Sequence, residues 1–211
     1  MCDLTKPSVR DGTLELEIVS LKNLEAAIAL HGEIFSTESG ALDFCVSIDA
    51  NLVESLTGLR ESADSVRYWL AKWGDKYIGM TGLYHYNKYP DDAWLGWYGI
   101  AKDFRGSGLG RQVFDWTCDL AKNEGFSNLR LFTSVQDNAD AILAYRKFGM
   151  LEELYTAEKL PYECLIFSKS LKNGVVTPWS DRFLDLRNHE NNFAKLDSHL
   201  CAEIVARFLT I

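Results

Sequence analysis

Neither cysteine arrangement that organises small domains occurs in this chain. No two cysteines stand at C-x-x-C spacing, and none clusters with histidine as in a zinc site. The five cysteines (Cys2, Cys45, Cys118, Cys164, Cys201) are odd in number and scattered, which suits free thiols in a reducing compartment. Long apolar runs are missing too. No stretch approaches the ~20 residues of a membrane-spanning helix, and Met1–Pro7 shows no basic stretch leading into an apolar run. The expected location is cytoplasmic, with no membrane partner. Basic residues are outnumbered: 22 Lys and Arg against 30 Asp and Glu leave a net charge of −8. Nucleic-acid surfaces gather Lys and Arg, so no nucleic-acid partner is expected, and the acidic balance weakly favours a cationic small molecule. Internal repeats and low-complexity tracts are absent. What is present is an ordinary globular composition, 47% hydrophobic and 25% charged, over 211 residues. That suits one large domain, or one domain with an appendage.

Alternation of apolar and polar residues predicts a first strand at Thr13–Ser20. Ser20 is the expected N-cap of a helix carrying Leu21, Leu24, Ala27, Ile28 and Phe35. After a polar loop, Ser36–Gly40, a shorter helix is expected at Asp49–Gly58. Ser65–Lys72 and Lys76–Tyr86 flank Gly74-Asp75 and read as a hairpin. An aromatic strand, Ala93–Ala101, is interrupted by Gly96 and Gly99, which often signals a bulge or a close approach. Gly108–Asn123 reads as a helix, Leu129–Val135 as a strand, Asn138–Phe148 as a helix, and Met150–Tyr155 and Tyr162–Ser170 as closing strands. This order predicts an α/β (α+β) fold: a mixed sheet with helices on both faces, over residues 13–170. Residues 171–211 form a C-terminal extension with a helical pattern through Phe193, Leu196, Leu200, Ile204 and Phe208. Its apolar stripe suits packing on the parent domain or a homodimer interface.

The segment from Ile100 to Gly110 is the most informative. A strand ends, a glycine-rich turn follows, and a helix begins. Backbone N–H groups without helical partners converge at such a junction, and the helix dipole adds positive potential. Together they suit a pyrophosphate. Arg105 and Arg111 would add charge-assisted bonds. A plain strand-to-helix turn is the alternative. The nucleotide-hydrolase loop needs Gly-Lys-Ser/Thr, whereas Gly110 precedes Arg111-Gln112. A dinucleotide fingerprint would follow the first strand. Neither fits.

Arg105-Gly106-Ser107-Gly108-Leu109-Gly110 resembles the R/Q-x-x-G-x-G/A signature of the GNAT superfamily of N-acetyltransferases. A second block, Asn138 to Met150, is similar to that family's Asn-x-x-Ala-x-x-x-Tyr-x-x-x-Gly-Phe helix, with Met150 in place of the aromatic. The resemblance covers about Thr13–Ser170 and implies a splayed central sheet. It also implies acetyl-CoA as co-substrate and a primary amine, small molecule or peptide, as acceptor. The amides from Arg105 to Gly110 would hold the pyrophosphate, and the backbone of Tyr98, Ile100 and Lys102 would pair with the pantetheine arm. An amide near Ile100 would polarise the acyl carbonyl. Asn138 would bond the pantetheine or open the last helix, and Tyr145 would protonate the leaving thiolate.

The general base is open. The strand from Ala93 to Ile100 carries no carboxylate, and Asp91, Asp92, Glu33 and Glu38 read as solvated surface charges. The aromatic set Tyr84, Tyr86, Tyr89, Trp94, Trp97 and Tyr98 suits core packing or an acceptor pocket. Two other functions compete: an acyl-CoA-binding module without catalysis, and a transferase of longer acyl groups. No metal is expected.

Overall fold

A computed structural model describes residues 12–35, 40–59, 63–135, 138–155, 163–172, 174–179 and 196–211. Cys2, Glu38, Tyr162 and Phe193 lie outside them. Seven strands are β1 (Leu14–Ile18), β2 (Ser65–Trp73), β3 (Lys76–His85), β4 (Asp92–Ile100), β5 (Asn128–Ser134), β6 (Leu151–Tyr155) and β7 (Cys164–Ser170). They form one sheet in the order β1-β2-β3-β4-β5-β7-β6. Adjacent strands are antiparallel except β4 and β5, which run parallel because a helix carries the chain between them.

On one face lie α1 (Leu24–Phe35), α2 (Gly40–Thr57) and α5 (Ser198–Thr210). The other carries α3 (Leu109–Asn123) and α4 (Ala139–Lys147). Helix α3 buries Leu109, Val113, Phe114, Thr117, Cys118 and Ala121, a stripe at helical spacing. Fully burying a side chain such as Phe114 contributes roughly 1.5–3 kcal/mol. A buried contact between the Thr81 and Thr117 hydroxyls, 2.9 Å, fixes α3 over β3. The hydroxyl of Thr117 also bonds the Val113 carbonyl, so neither group is left unpaired.

The structure corrects two local expectations. Ser20 does not cap α1. Its own N–H donates to Asn23 Oδ1, and helix starts only at Leu24. The buried Asn23 side chain instead ties that turn to Glu17 and the Ile18 carbonyl. Helix α2 starts at Gly40, not Asp49. Asp49 is a kink (φ −152°, ψ 89°), and its carboxylate accepts from the Leu52 N–H as an N-cap does. The start signal at Asp49 was therefore real but marked a second half-helix. The described residues of the extension pack on the domain, one of the two placements that the apolar stripe suits. Ile204 and Phe208 of α5 sink beneath α2, and Trp179 packs on Trp94 and Tyr89.

Candidate active site

Strand β4 changes partner and exposure midway. It pairs with β5 only through Asp92, Ala93 and Trp94, after which the two strands part. Residues 92–95 are buried, whereas Gly96, Trp97, Tyr98 and Gly99 are half-buried before Ile100 is buried again. Against β3 the register slips between Met80 and Gly82, so that Trp97 and Tyr98 together face Thr81. This is the bulge that the two glycines foreshadowed. Trp97 takes φ 35°, a left-handed value rare outside glycine. The bulge reverses the alternation: Gly96 and Trp97 both face α1 and α2, and Tyr98 and Ile100 turn to α3. Gly99 is required by proximity, because a Cβ there would stand 2.5 Å from Ile34.

The strand runs directly into the loop. Gly106 and Gly108 have φ of 77° and 87°, and among the described residues an added Cβ would meet nothing within 4 Å at either. Their conformation, not crowding, calls for glycine, and the space over the loop is open. Gly108 stands at the N-cap of α3 without any side-chain cap, and Ser107 Oγ donates instead to the Phe104 carbonyl at 2.6 Å. The first amides of α3 thus have no cap from the Gly108 position, a disposition that suits an anion. Arg105 Nε donates to the Ile100 carbonyl at 2.9 Å, so this arginine also folds the loop onto its strand. Leu109 is buried, Lys102 is exposed, and the Tyr98 hydroxyl donates to the Gly110 carbonyl at 2.7 Å. Arg111 pairs with Asp115 at 2.8 Å, both half exposed.

At α4, Asn138 holds the N-cap position and its carbonyl accepts from Ile142, but its side chain makes no cap bond. About two turns further, Tyr145 is buried at 7% exposure, its ring 6.2 Å from Tyr98 and 5.4 Å from Phe167. Burial raises its pKa above the ordinary phenol value, which keeps it a proton donor near neutrality. Burial pushes the Cys45 and Cys118 thiols up to about 12, so neither is a thiolate nucleophile. Among the described residues no group of His, Cys, Asp and Glu is placed to hold a metal ion. No helix among them is long and apolar enough to cross a membrane.

Residues 37–150 match the Acetyltransferase (GNAT) family. The chain belongs to this family. Its fold recurs in solved GNAT structures. The ribosomal-protein-S18-alanine N-acetyltransferase of Escherichia coli superposes with a TM-score of 0.55 at 17% identity, over 75% of this chain and 94% of that one. The PaiA N-acetyltransferase of Thermoplasma acidophilum, in complex with coenzyme A, gives 0.55 at 18% identity, over 75% and 99%. Naa50 of Arabidopsis thaliana, with a bisubstrate analogue, gives 0.55 at 21%, over 74% and 98%. Comparison with curated proteins yields no match.

Within this GNAT fold the carboxylates considered from sequence fall in different places. Asp92 is buried, not solvated: Arg130 Nε lies 2.9 Å from its Oδ1, and Asn128 donates to the same oxygen. Asp91 is exposed and accepts from Ser127 Oγ, closing a turn. Glu33 is exposed on α1. The aromatic set splits three ways. Tyr84, Tyr86, Tyr89 and Trp94 cluster with Trp179, Trp97 packs on His31 and Phe35, and Tyr98 lies across the sheet against Phe114.

Four residues escaped sequence reasoning: His31, Asp43, Arg130 and Trp179. Arg130 carried a signal, as the one charged residue of its strand. It donates to Ser168 Oγ and to the Thr177 carbonyl, holding residues 174–179 on the sheet. Asp43 and His31 carried none, since their meaning depends on where α2 begins.

Proposed function

We propose that this GNAT protein is an N-acetyltransferase that moves an acetyl group from acetyl-CoA to a primary amine by direct attack. The observation that carries the reading is the end of β4. The strand leaves β5, becomes half-exposed at Gly96–Gly99, and leads into a helix whose N-terminus shows no side-chain cap among the described residues. Acetyl-CoA supplies the activated acyl group. The amides of Arg105, Gly106, Ser107, Gly108, Leu109 and Gly110 bind its pyrophosphate, with Arg111 alongside. The freed edge of β4 at Tyr98 and Ile100, with Lys102 just past its end, pairs with the pantetheine arm, and an amide near Ile100 stabilises charge on the acyl oxygen. Asn138, whose side chain is not used for capping, steadies the same arm. Tyr145 gives its proton to the departing thiolate.

The net charge of −8 suits an acceptor that arrives as a cation. Calorimetric titration with CoA and with acetyl-CoA tests the reading, followed by an amine panel. Gly108→Trp should weaken CoA binding by about a hundredfold or more, since several charge-assisted N–H bonds are lost together. Binding that survives this change would remove the loop from the site.

A further inference from the structure

The bulge in β4 carries one side chain across the sheet. Trp94 and Gly96 face α1 and α2, and regular alternation would set residue 98 on that face with them. Tyr98 lies instead on the α3 face. Bulges re-aim side chains in this way, often beside active sites. The redirected phenol runs beneath the start of α3. Its ring stands edge-on to Phe114 and to Phe148, with centroids 6.1 and 6.2 Å away, so α3 and the end of α4 both hold its direction. The hydroxyl donates to the Gly110 carbonyl at 2.7 Å. That oxygen belongs to the first turn of α3 and has two lone pairs, so the phenol and the helix can share it. Burial raises the Tyr98 pKa, so the hydroxyl keeps the proton that it donates. Position 110 leaves little room for more, since a Cβ there would stand 3.2 Å from the Tyr98 hydroxyl oxygen.

A second bond holds the other end of the loop. Arg105, its first residue, donates from Nε to the Ile100 carbonyl at 2.9 Å. The loop is thus stapled to β4 at both ends, Arg105 to Ile100 and Gly110 to Tyr98.

We propose that Tyr98 is a positioning residue that fixes the span between the pyrophosphate loop and the acyl-receiving end of β4. This rests on the transferase reading above and deepens it. The pantetheine arm has a fixed covalent length. Once its pyrophosphate sits in the loop, the distance from loop to strand decides where the thioester stops beside Ile100. A small misplacement of reacting atoms is costly even when its origin is remote from them. Tyr98 sets that distance through its hydroxyl, from the α3 side of the strand. The left-handed turn at Trp97 gains a purpose here, because it is what brings the phenol to the loop.

Tyr98→Phe removes one staple and keeps the ring. CoA spans loop and strand, whereas ADP carries a pyrophosphate without the arm. CoA affinity, by calorimetry, should fall about three- to tenfold, the worth of one hydrogen bond. ADP affinity, read from the amide resonance of Gly108, should hold. Equal losses for the two ligands would mean a loosened loop and no control of the span. That result overturns the role, as does an unchanged CoA affinity. If the variant does not fold, the wild type decides: the Tyr98 hydroxyl proton should resist exchange with solvent in the CoA complex, and free exchange overturns the staple. CoA binding without ADP binding would take the pyrophosphate off the loop and the role of Tyr98 with it. Folded wild-type protein that binds neither ligand would count against the transferase reading instead.

Discussion

Between Arg105 and Gly110 six consecutive residues build one wall of the site, whereas Asp43 and Trp97, which meet on the other face of the sheet, stand 54 positions apart. The first wall needs convergent amides, left-handed turns and a helix start, all of which a short local sequence can specify. The second depends on a bulge in β4 and on the entry of α2, and the strap at residues 174–179 is a further long-range contact on that face. The conformation of the glycine loop is thus local chemistry, while the meeting of Asp43 with Trp97 is tertiary chemistry.

The hardest blow to the long-range side is Arg130→Ala. It strands the buried Asp92 carboxylate and frees the Thr177 carbonyl. Breaking one partner of such a pair costs about 3–5 kcal/mol, to be read as a lower urea midpoint. CoA affinity of the folded fraction should hold, and a parallel fall would merge the two walls into one. On the local side, Tyr145→Phe should lower kcat by about a hundredfold or more with CoA affinity unchanged. An unaltered kcat, with chemistry shown to limit the rate, would discard its assigned role.

A smaller effect concerns acid. The unfolded chain protonates His31 near 6.5, but burial holds its folded pKa at about 4. The unfolded state therefore binds more protons between those values, so stability is complete above pH 6.5 and is lost as pH falls toward 4. In His31→Phe, melting temperature should depend less steeply on pH over that window, and an identical slope would rule the residue out. Least of all, Arg111→Ala removes an exposed pair with Asp115 worth about 0.3–0.5 kcal/mol. It should barely move the melting point while weakening CoA measurably if Arg111 serves the phosphates.

Much of the fold was legible, and for the same reason as the loop. The hairpin turn at Gly74, the bulge glycines of β4 and the stripe of α3 are signals that act over a few residues. The Asn23 turn was misread because two capping residues, Ser20 and Asn23, stood one turn apart, and burial chose the second. The first half of α2 was missed because Asp49 announces a helix so clearly that the apolar run Ala41–Ile48 before it lost its claim. The site divided likewise. Gly106 and Gly108 were visible as types, while Asp43 acquires meaning only once Trp97 is turned toward it.

The strap has a practical consequence for anyone who cuts the gene. A boundary drawn just after β7 looks safe on an alignment of element order, yet it would lift Trp179 from Trp94 and leave Arg130 short of an acceptor. The shortened product would show the solvent an aromatic floor and a half-satisfied cation, and would be prone to self-association. The domain is built around this tail, so the two have to be carried together.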